Sequence, residues 1–271
     1  MPRNRERETG RIVAFAAAAS RWASMQAPPP LDPSRHALFL DFDGTLVGFR
    51  DDPQAVAIER DALGSLIALS GRLDGALAIV SGRRIEDLDR FLRPLSFAAA
   101  GVHGLELRRA PGGDVERSVD PHALDRIRGR LRDALAAHPG LRLEDKGSAL
   151  VLHCREHPEL EAVSRETMAR AVEGETGFKI MPGNRIVEVH PAGMDKGIAV
   201  TALMREPAFD GRVPLYVGDD TTDEYAMEAV QAAGGLGVKV GPGESVGRAR
   251  LADVPAVHRW LAEALGPLGR P

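Results

Sequence analysis

Short apolar runs, separated by segments with helical spacing, constrain this chain more than any other feature of its sequence. The first runs are residues 37–40, 76–80 and 97–100, and the pattern resumes at 213–217 and 236–240. Such runs, bounded by glycine and polar residues, are typical of strands buried on both faces. Strands that alternate with helices indicate a parallel sheet. We therefore expect an α/β fold built on an open parallel sheet.

Residues 109–190 carry a different pattern from the segments on either side. Helical spacing covers about 121–137 and 158–173, and each of these segments is followed by two short strand-like runs. Asp120-Pro121 fits the start of the first helix, because proline is favoured at the first helical position. This order predicts a small α+β domain inserted into the larger sheet. The predicted division is a tail (1–34), a first core part (35–108), the inserted domain (109–190) and a second core part (191–271).

The first apolar run ends in two aspartates, Asp41 and Asp43, which are followed by Gly44. Side chains two residues apart leave a strand on the same side, and open α/β sheets bind ligands beyond the carboxyl ends of their strands. Two close carboxylates need a cation, a shared proton or different roles as nucleophile and acid. A divalent metal is the simplest answer. The alternatives are an Asp-rich turn and a calcium loop, which the lone Asp52 at its twelfth position disfavours.

Acidic residues also follow the strand predicted at 213–217. Asp219 is the natural candidate to complete an oxygen cage with Asp41 and the backbone carbonyl of Asp43. A compact cage of oxygen ligands with waters and a phosphate oxygen suits Mg²⁺. The alternative is that Asp220 or Asp223 simply caps the helix that follows.

Ser81 and Lys196 are the other polar residues whose positions suggest an anion-binding site. Ser81 lies between a strand and a helix, where its hydroxyl and the neighbouring amides suit an anion, although a simple N-cap is the favoured explanation of this residue taken alone. Lys196 begins a helix, where its charge works against the helix dipole. That position suggests a role in balancing an anion, and a surface lysine is the alternative.

The motifs D-x-D-G-T, V-S-G-R, D-K-G and G-D-D-T-T-D-E occur in this order near strand ends. Together they resemble the haloacid dehalogenase superfamily of phosphotransferases. The resemblance implies an α/β fold with a Rossmann-like parallel-sheet core and an inserted α+β cap domain. It implies that Asp41 forms a phosphoaspartyl intermediate, that Asp43 is the general acid and base, and that Ser81 and Lys196 hold the phosphoryl oxygens. It also implies that Asp41, the Asp43 carbonyl and Asp219 hold Mg²⁺.

Four further segments, at 101–106, 144–147, 153–155 and 187–193, look like the trehalose-6-phosphate phosphatases, and this resemblance covers about 37–265. It implies hydrolysis of trehalose 6-phosphate to trehalose and phosphate. The implied sugar-facing residues of the cap are Glu144, Lys146, Arg155 and Glu188. The other implied substrate contacts are Asp41, Phe42, Asp43, Gly82, Arg83, His103, Gly104 and Glu106. For the charged cap residues, the alternative is that they form exposed ion pairs. The sequence also differs from the family at Cys154, where tyrosine is common.

The overall composition excludes several classes of partner. The net charge of −4 gives no general attraction to nucleic acid or anionic membranes, and no apolar run approaches the length of a membrane span. The lone Cys154 rules out an internal disulfide. The basic and then apolar start of the chain is similar to a signal peptide, but the acidic residues within it argue against export. We therefore expect a cytoplasmic protein with a small-molecule substrate.

Two other functions remain open from the sequence. One is another capped sugar phosphatase, specific for sucrose 6-phosphate or mannosyl-3-phosphoglycerate. The other is a non-catalytic sugar-phosphate sensor or a scaffold for a synthase, which we would expect to have lost its nucleophile or a metal ligand. The motif residues are all present, so the sequence favours an enzyme, with a trehalose-phosphate synthase as a possible partner.

Overall fold

A computed structural model of the chain describes residues 26–50, 52, 54–117, 122, 124–183 and 185–266. Most of the predicted N-terminal tail lies outside these residues, and so does the predicted helix start at Asp120-Pro121. Within the described residues, no helix is both long and apolar enough to cross a membrane.

The described elements alternate between strands and helices over most of the chain. In chain order they are β1 (His36–Leu40), α1 (Arg60–Arg72), β2 (Leu77–Val80), α2 (Ile85–Phe91), β3 (Ala98–Gly101), β4 (Glu106–Arg108), β5 (Glu116–Arg117), α3 (Asp125–Leu135), β6 (Arg142–Asp145), β7 (Leu150–His153), α4 (Glu161–Val172), β8 (Phe178–Gly183), β9 (Ile186–Pro191), α5 (Lys196–Leu203), β10 (Val213–Gly218), α6 (Thr221–Ala232), β11 (Leu236–Val240), β12 (Ala249–Leu251) and α7 (Val254–Glu263). Short 3-10 turns occur at Val102–Gly104 and Pro158–Leu160.

The larger sheet has eight strands in the order β12-β11-β10-β1-β2-β3-β4-β5. The pairs from β12 to β3 are parallel, which confirms the predicted parallel core. Strand β1 is central, and Leu38, Phe39 and Leu40 are fully buried because helices cover the sheet. Helix α1 packs against α7, and α5 packs against α6. Since β1 and β10 are neighbours, the residues that follow them meet at one edge of the sheet.

The far edge of the larger sheet was not predicted. Strands β4 and β5 pair antiparallel with β3 and with each other. Arg108 holds this edge, because its guanidinium binds the Asp89 carboxylate at 2.7 and 2.9 Å and donates to the Phe97 carbonyl at 3.0 Å. The larger sheet therefore continues beyond residue 108, where the sequence suggested that the inserted domain begins. The division at residues 108 and 190 stays a prediction.

The segment between β5 and α5 forms a second, four-stranded antiparallel sheet in the order β6-β7-β9-β8. Helices α3 and α4 pack against each other and against this sheet, and the segment has its own apolar core. The predicted α+β character of the insertion is confirmed. A small cluster joins the two parts, in which Ala149 lies against Val102 and Leu105, with Met194 beside them.

Candidate active site

The strand ends of β1 and β10 bring Asp41 and Asp219 together, as the strand pattern predicted. Asp41 is 4% exposed, and its amide donates to the Val217 carbonyl at 2.9 Å. Gly44 makes the close approach possible, since it has a φ of 79° and a Cβ there would lie 2.2 Å from Asp219 Oδ2. Any side chain at position 44 would both strain the backbone and displace this carboxylate.

Asp223, a possible helix cap whose contact with the metal the sequence leaves open, adds a third carboxylate. One oxygen each from Asp41, Asp219 and Asp223 lie within 4.8 Å of one another. Asp223 is fully buried, and it accepts hydrogen bonds from the Tyr216 hydroxyl at 2.6 Å and from the amides of Asp219 and Asp220 at 2.9 Å each. Asp220 is the N-cap of α6, and Asp223 completes the capping box by accepting the Asp220 amide, so Asp223 combines a capping role with a place in the carboxylate cluster. In the sequence, the place of Asp223 in this cluster is indicated by its spacing of four residues from Asp219.

Lys196 lies among these carboxylates. Its Nζ is 2.8 Å from Asp41 Oδ1 and 2.6 Å from Asp223 Oδ1, and the residue is 3% exposed, which excludes a surface lysine. Burial opposes its positive charge, but the carboxylates of Asp223 and Asp41 outweigh burial and raise the pKa of Lys196. The ammonium group is therefore held charged and directed at Asp41.

The three carboxylates carry more negative charge than Lys196 balances. Burial, with the charges of Asp223 and Asp219, raises the pKa of Asp41 well above its ordinary value against the opposing effect of Lys196. Burial and the charge of Asp223 likewise raise the pKa of Asp219 to about 7. A cluster of oxygen ligands with unbalanced negative charge fits a hard divalent cation.

Asp43 does not join this cluster. Its carboxylate forms a two-point ion pair with Arg83, with Nε–Oδ2 at 2.6 Å and Nη2–Oδ1 at 2.7 Å. Ser81 lies beside this pair and is buried, and its Oγ accepts the amide of Arg83 at 3.2 Å. Helix α2 begins only at Ile85, so the N-cap alternative for Ser81 is wrong. Ser81 lines the cavity instead.

A cavity of about 960 Å³ lies between the two sheets, above this group of side chains. Most of the predicted site residues line it: Asp41, Asp43, Ser81, Gly82, Arg83, His103, Glu144, Lys146, Arg155, Glu188 and Lys196. Phe42, Gly104, Glu106 and Asp219 are not among the described residues that line it.

The predicted residues outside the cavity wall have other surroundings. Phe42 is fully buried and stacks on Phe91 with 5.7 Å between ring centroids. Gly104 has a φ of 103°, and a Cβ there would lie 3.0 Å from Met194 and Ala199. Glu106 accepts the Ile85 amide at 2.9 Å at the start of α2. These residues support the cavity wall from behind.

The insertion supplies the opposite wall. Lys146 Nζ lies 3.2 Å from Glu188 Oε2 and donates to the Gly82 carbonyl of the larger sheet at 2.8 Å. Glu188 is buried, which excludes an exposed ion pair there, and its other oxygen, Oε1, has no hydrogen-bond partner among the described residues. His103 Nε2 lies 3.7 Å from Oε1. A buried carboxylate oxygen without a partner is a position for a ligand donor.

The outer part of that wall is more exposed. Glu144 pairs with His153, with Oε2–Nε2 at 2.6 Å. Burial would raise the pKa of Glu144, but this hydrogen bond and the charge of Lys146 outweigh it and lower the pKa to about 2. Arg155 is half-buried and donates from Nη1 to the Arg50 carbonyl at 2.7 Å. His153 also lines the cavity, although no role was predicted for it.

Known proteins resemble this chain over most of its length. The trehalose-phosphatase family model matches residues 39–255. The trehalose-6-phosphate phosphatase of Escherichia coli (strain K12) is 38% identical over 84% of this chain and 86% of its own length. A probable trehalose-phosphate phosphatase of Sinorhizobium fredii is 37% identical over 86% and 88%.

A solved structure shows the same fold. The C-terminal domain of Candida albicans trehalose-6-phosphate phosphatase superposes with a TM-score of 0.73 at 22% identity, covering 88% of this chain and 98% of that one. The fold follows from this likeness, and the family follows from the sequence matches. This chain belongs to the trehalose-phosphatase family.

Proposed function

We propose that this protein hydrolyses trehalose 6-phosphate to trehalose and inorganic phosphate. Family membership supports the reaction. The observation that carries the proposal is the pairing of buried Asp41 with Lys196 at the base of a cavity whose opposite wall holds Lys146 and Glu188. A carboxylate beside an ammonium group suits a phosphoryl group, and a polar wall suits a sugar with many hydroxyls.

In the proposed first half-reaction, an Asp41 oxygen attacks phosphorus while the bond to the sugar oxygen breaks. The departing oxygen takes a proton from the Asp43 carboxyl, which gives trehalose and an aspartyl phosphate. In the second half, water attacks phosphorus and gives a proton to the Asp43 carboxylate. The bond to Asp41 then breaks, so both aspartates return to their starting states and phosphate is released.

Ser81 and Lys196 are the proposed holders of the phosphoryl oxygens. The Lys196 ammonium already lies 2.8 Å from the Asp41 oxygen, so a phosphoryl group on Asp41 comes within its reach. The Ser81 hydroxyl lines the same end of the cavity. Both groups donate hydrogen bonds to these oxygens, and Lys196 also neutralises the negative charge that develops on them during transfer, which is the main requirement of phosphoryl-transfer catalysis.

Mg²⁺ is the proposed cofactor. Asp41, the Asp43 carbonyl and Asp219 are the proposed ligands, and Asp223 is a further candidate because its carboxylate belongs to the same cluster. The all-oxygen donor set and its unbalanced negative charge support this proposal. A bound divalent cation supplies charge neutralisation for the phosphoryl oxygens.

The proposed sugar contacts are the charged residues of the insertion. Glu188 has a buried oxygen without a hydrogen-bond partner in the described part of the chain, and Lys146 lies beside it. Glu144 and Arg155 extend the same wall, and His103 closes its inner end. A site whose buried polar groups are paired only when the correct hydroxyls are present discriminates strongly against other sugars.

The test is phosphate release from trehalose 6-phosphate beside sucrose 6-phosphate, glucose 6-phosphate and mannosyl-3-phosphoglycerate, with and without Mg²⁺. We expect a large, Mg²⁺-dependent preference for trehalose 6-phosphate. Comparable turnover of another sugar phosphate would support phosphatase activity but contradict the proposed specificity for trehalose 6-phosphate. Binding without turnover of any of them would favour a sensor. The cytoplasmic location and a synthase partner stay predictions.

A further inference from the structure

Arg83 holds the carboxylate of Asp43 at both of its oxygens. The two contacts, 2.6 Å from Nε and 2.7 Å from Nη2, form a parallel fork. A fork of this kind fixes the plane of a carboxylate as well as its position, which a lysine cannot do because it offers a point charge. Asp43 itself stays open to the cavity, with 29% of its side chain exposed.

The guanidinium of Arg83 is held in turn by two aromatic rings. Its Cζ lies 5.4 Å from the centroid of Phe42 and 5.0 Å from that of Phe91. The two rings stack on each other, with 5.7 Å between centroids and 23° between planes. Cation–π contact on two rings restricts where the guanidinium lies. The backbone of Arg83 is also tied down, since its carbonyl accepts the Val102 amide at 2.9 Å.

We propose that Arg83 is the positioning residue of Asp43, and that it acts on proton transfer through that carboxylate. The inference rests on the proposed function, in which Asp43 gives its proton to the sugar oxygen. A proton on one Asp43 oxygen replaces one of the two Arg83 contacts, and the other contact still holds the carboxyl group in place. An ester oxygen receives a proton efficiently only from a donor held within hydrogen-bond reach and correctly oriented. The Phe42–Phe91 stack, Arg83 and Asp43 thus form one chain of contacts that ends at the cavity.

Two substrates with different leaving groups distinguish a role of Arg83 in proton transfer from a role in phosphate binding. The sugar alkoxide needs a proton as the P–O bond breaks, whereas p-nitrophenolate leaves without one. For Arg83→Lys we expect kcat for trehalose 6-phosphate to fall by about tenfold or more, and kcat for p-nitrophenyl phosphate to stay within about twofold of wild type. KM for trehalose 6-phosphate should stay within about threefold, because this proposal gives Arg83 the role of holding Asp43, instead of the substrate contact that the resemblance implies.

Arg90→Lys is the matched control. Arg90 stacks on the same Phe91 ring, with its Cζ 4.6 Å from the centroid, but it forms an ion pair with Asp87 on its own helix. This variant should behave as wild type with both esters. An equal loss of kcat on both esters in Arg83→Lys, a loss confined to KM, or the same selective loss in Arg90→Lys would overturn the proposal.

A double-mutant cycle tests the same point without relying on p-nitrophenyl phosphate. If Arg83 acts through Asp43, adding Arg83→Lys to Asp43→Asn should change the remaining kcat by less than about twofold. Additive losses would refute the coupling. Thermal unfolding of each variant identifies misfolding. The outcome is separate from that of the proposed function, which fails if the wild-type protein does not hydrolyse trehalose 6-phosphate at all.

Discussion

Lys196 Nζ lies 2.6 Å from Asp223 Oδ1, slightly closer than its 2.8 Å distance to Asp41 Oδ1. The lysine thus bridges the proposed nucleophile and a fully buried carboxylate on the first turn of α6. Asp223 is in turn fixed by the Tyr216 hydroxyl and by two amides. This bridge links the strand end of β1 to the starts of α5 and α6, and it makes position 196 important for folding as well as for chemistry.

Replacing Asp41 with asparagine should abolish hydrolysis. The amide is a poor nucleophile and cannot form the aspartyl phosphate, so kcat should fall by about 10³-fold or more. Steady-state phosphate release measures the loss. Asp61→Asn, a change to an acidic residue of the first turn of α1, serves as the control and should retain wild-type activity. Substantial hydrolysis by Asp41→Asn would reject the nucleophile assignment.

Replacing Lys196 with methionine should destabilise the fold. The change keeps most of the side-chain volume but leaves buried carboxylates without their cation, and breaking a buried pair in this way costs about 3 kcal/mol or more. Urea unfolding in the absence of divalent cations measures the free energy of unfolding. Lys179→Met removes a lysine whose Nζ lies 5.4 Å from the Tyr225 ring centroid and should change stability little. An unchanged free energy of unfolding in Lys196→Met would contradict the bridge.

Replacing Asp223 with asparagine should weaken Mg²⁺ binding by about 10- to 100-fold. The substitution removes one negative charge from the cluster and disturbs the group that holds Lys196. Calorimetric titration with Mg²⁺ measures the affinity directly. Asp253→Asn provides a matched control, because Asp253 also caps a helix, accepting the Ala256 amide at 2.8 Å, but belongs to α7. Equal Mg²⁺ affinity in wild type and Asp223→Asn would remove Asp223 from the proposed site.

Stability should fall below neutral pH partly through His103. Burial lowers the pKa of His103 from 6.5 to about 4, despite the nearby Glu188 carboxylate. As the pH falls through 6.5, the unfolded chain takes up a proton that the folded protein does not, so the free energy of unfolding decreases until about pH 4. The full contribution of this residue is about 3 kcal/mol.

Urea unfolding at pH 7 and pH 4.5 in wild type and His103→Asn tests this expectation. Asparagine suits the positive φ of 54° at this position and does not titrate. The variant should lose less stability than wild type between the two pH values. An identical pH dependence in both proteins would show that His103 does not contribute.

The sequence was sufficient for the parallel core and for the meeting of Asp41 with Asp219. Both follow from apolar runs that end in acidic residues, because parallel strand ends share one edge. The part played by Asp223 was not predictable in the same way, since a helix cap and a partner of Lys196 have the same local pattern. The Arg83–Asp43 pair could not be predicted from the sequence either, because it joins two loops that are 40 residues apart.

The antiparallel edge of the larger sheet was missed for a different reason. Strands β4 and β5 contain three and two residues, which is too short for a periodic pattern to stand out. Their position depends on long-range contacts, such as the one between Arg108 and Asp89. The sequence therefore predicted the strand ends that carry the candidate active site, but not the two short strands at the far edge of the sheet.

The hydrogen bond from Lys146 to the Gly82 carbonyl spans the cavity and joins its two walls directly. Separation of the walls breaks this contact, and Gly82 follows Ser81 in the chain. We expect the walls to separate when a bulky disaccharide enters, which would also admit bulk water beside Ser81. An aspartyl phosphate needs protection from premature hydrolysis while the sugar is bound and access to water after it leaves. In the proposed reaction, a lysine at this junction would connect the timing of those two events to the departure of the product.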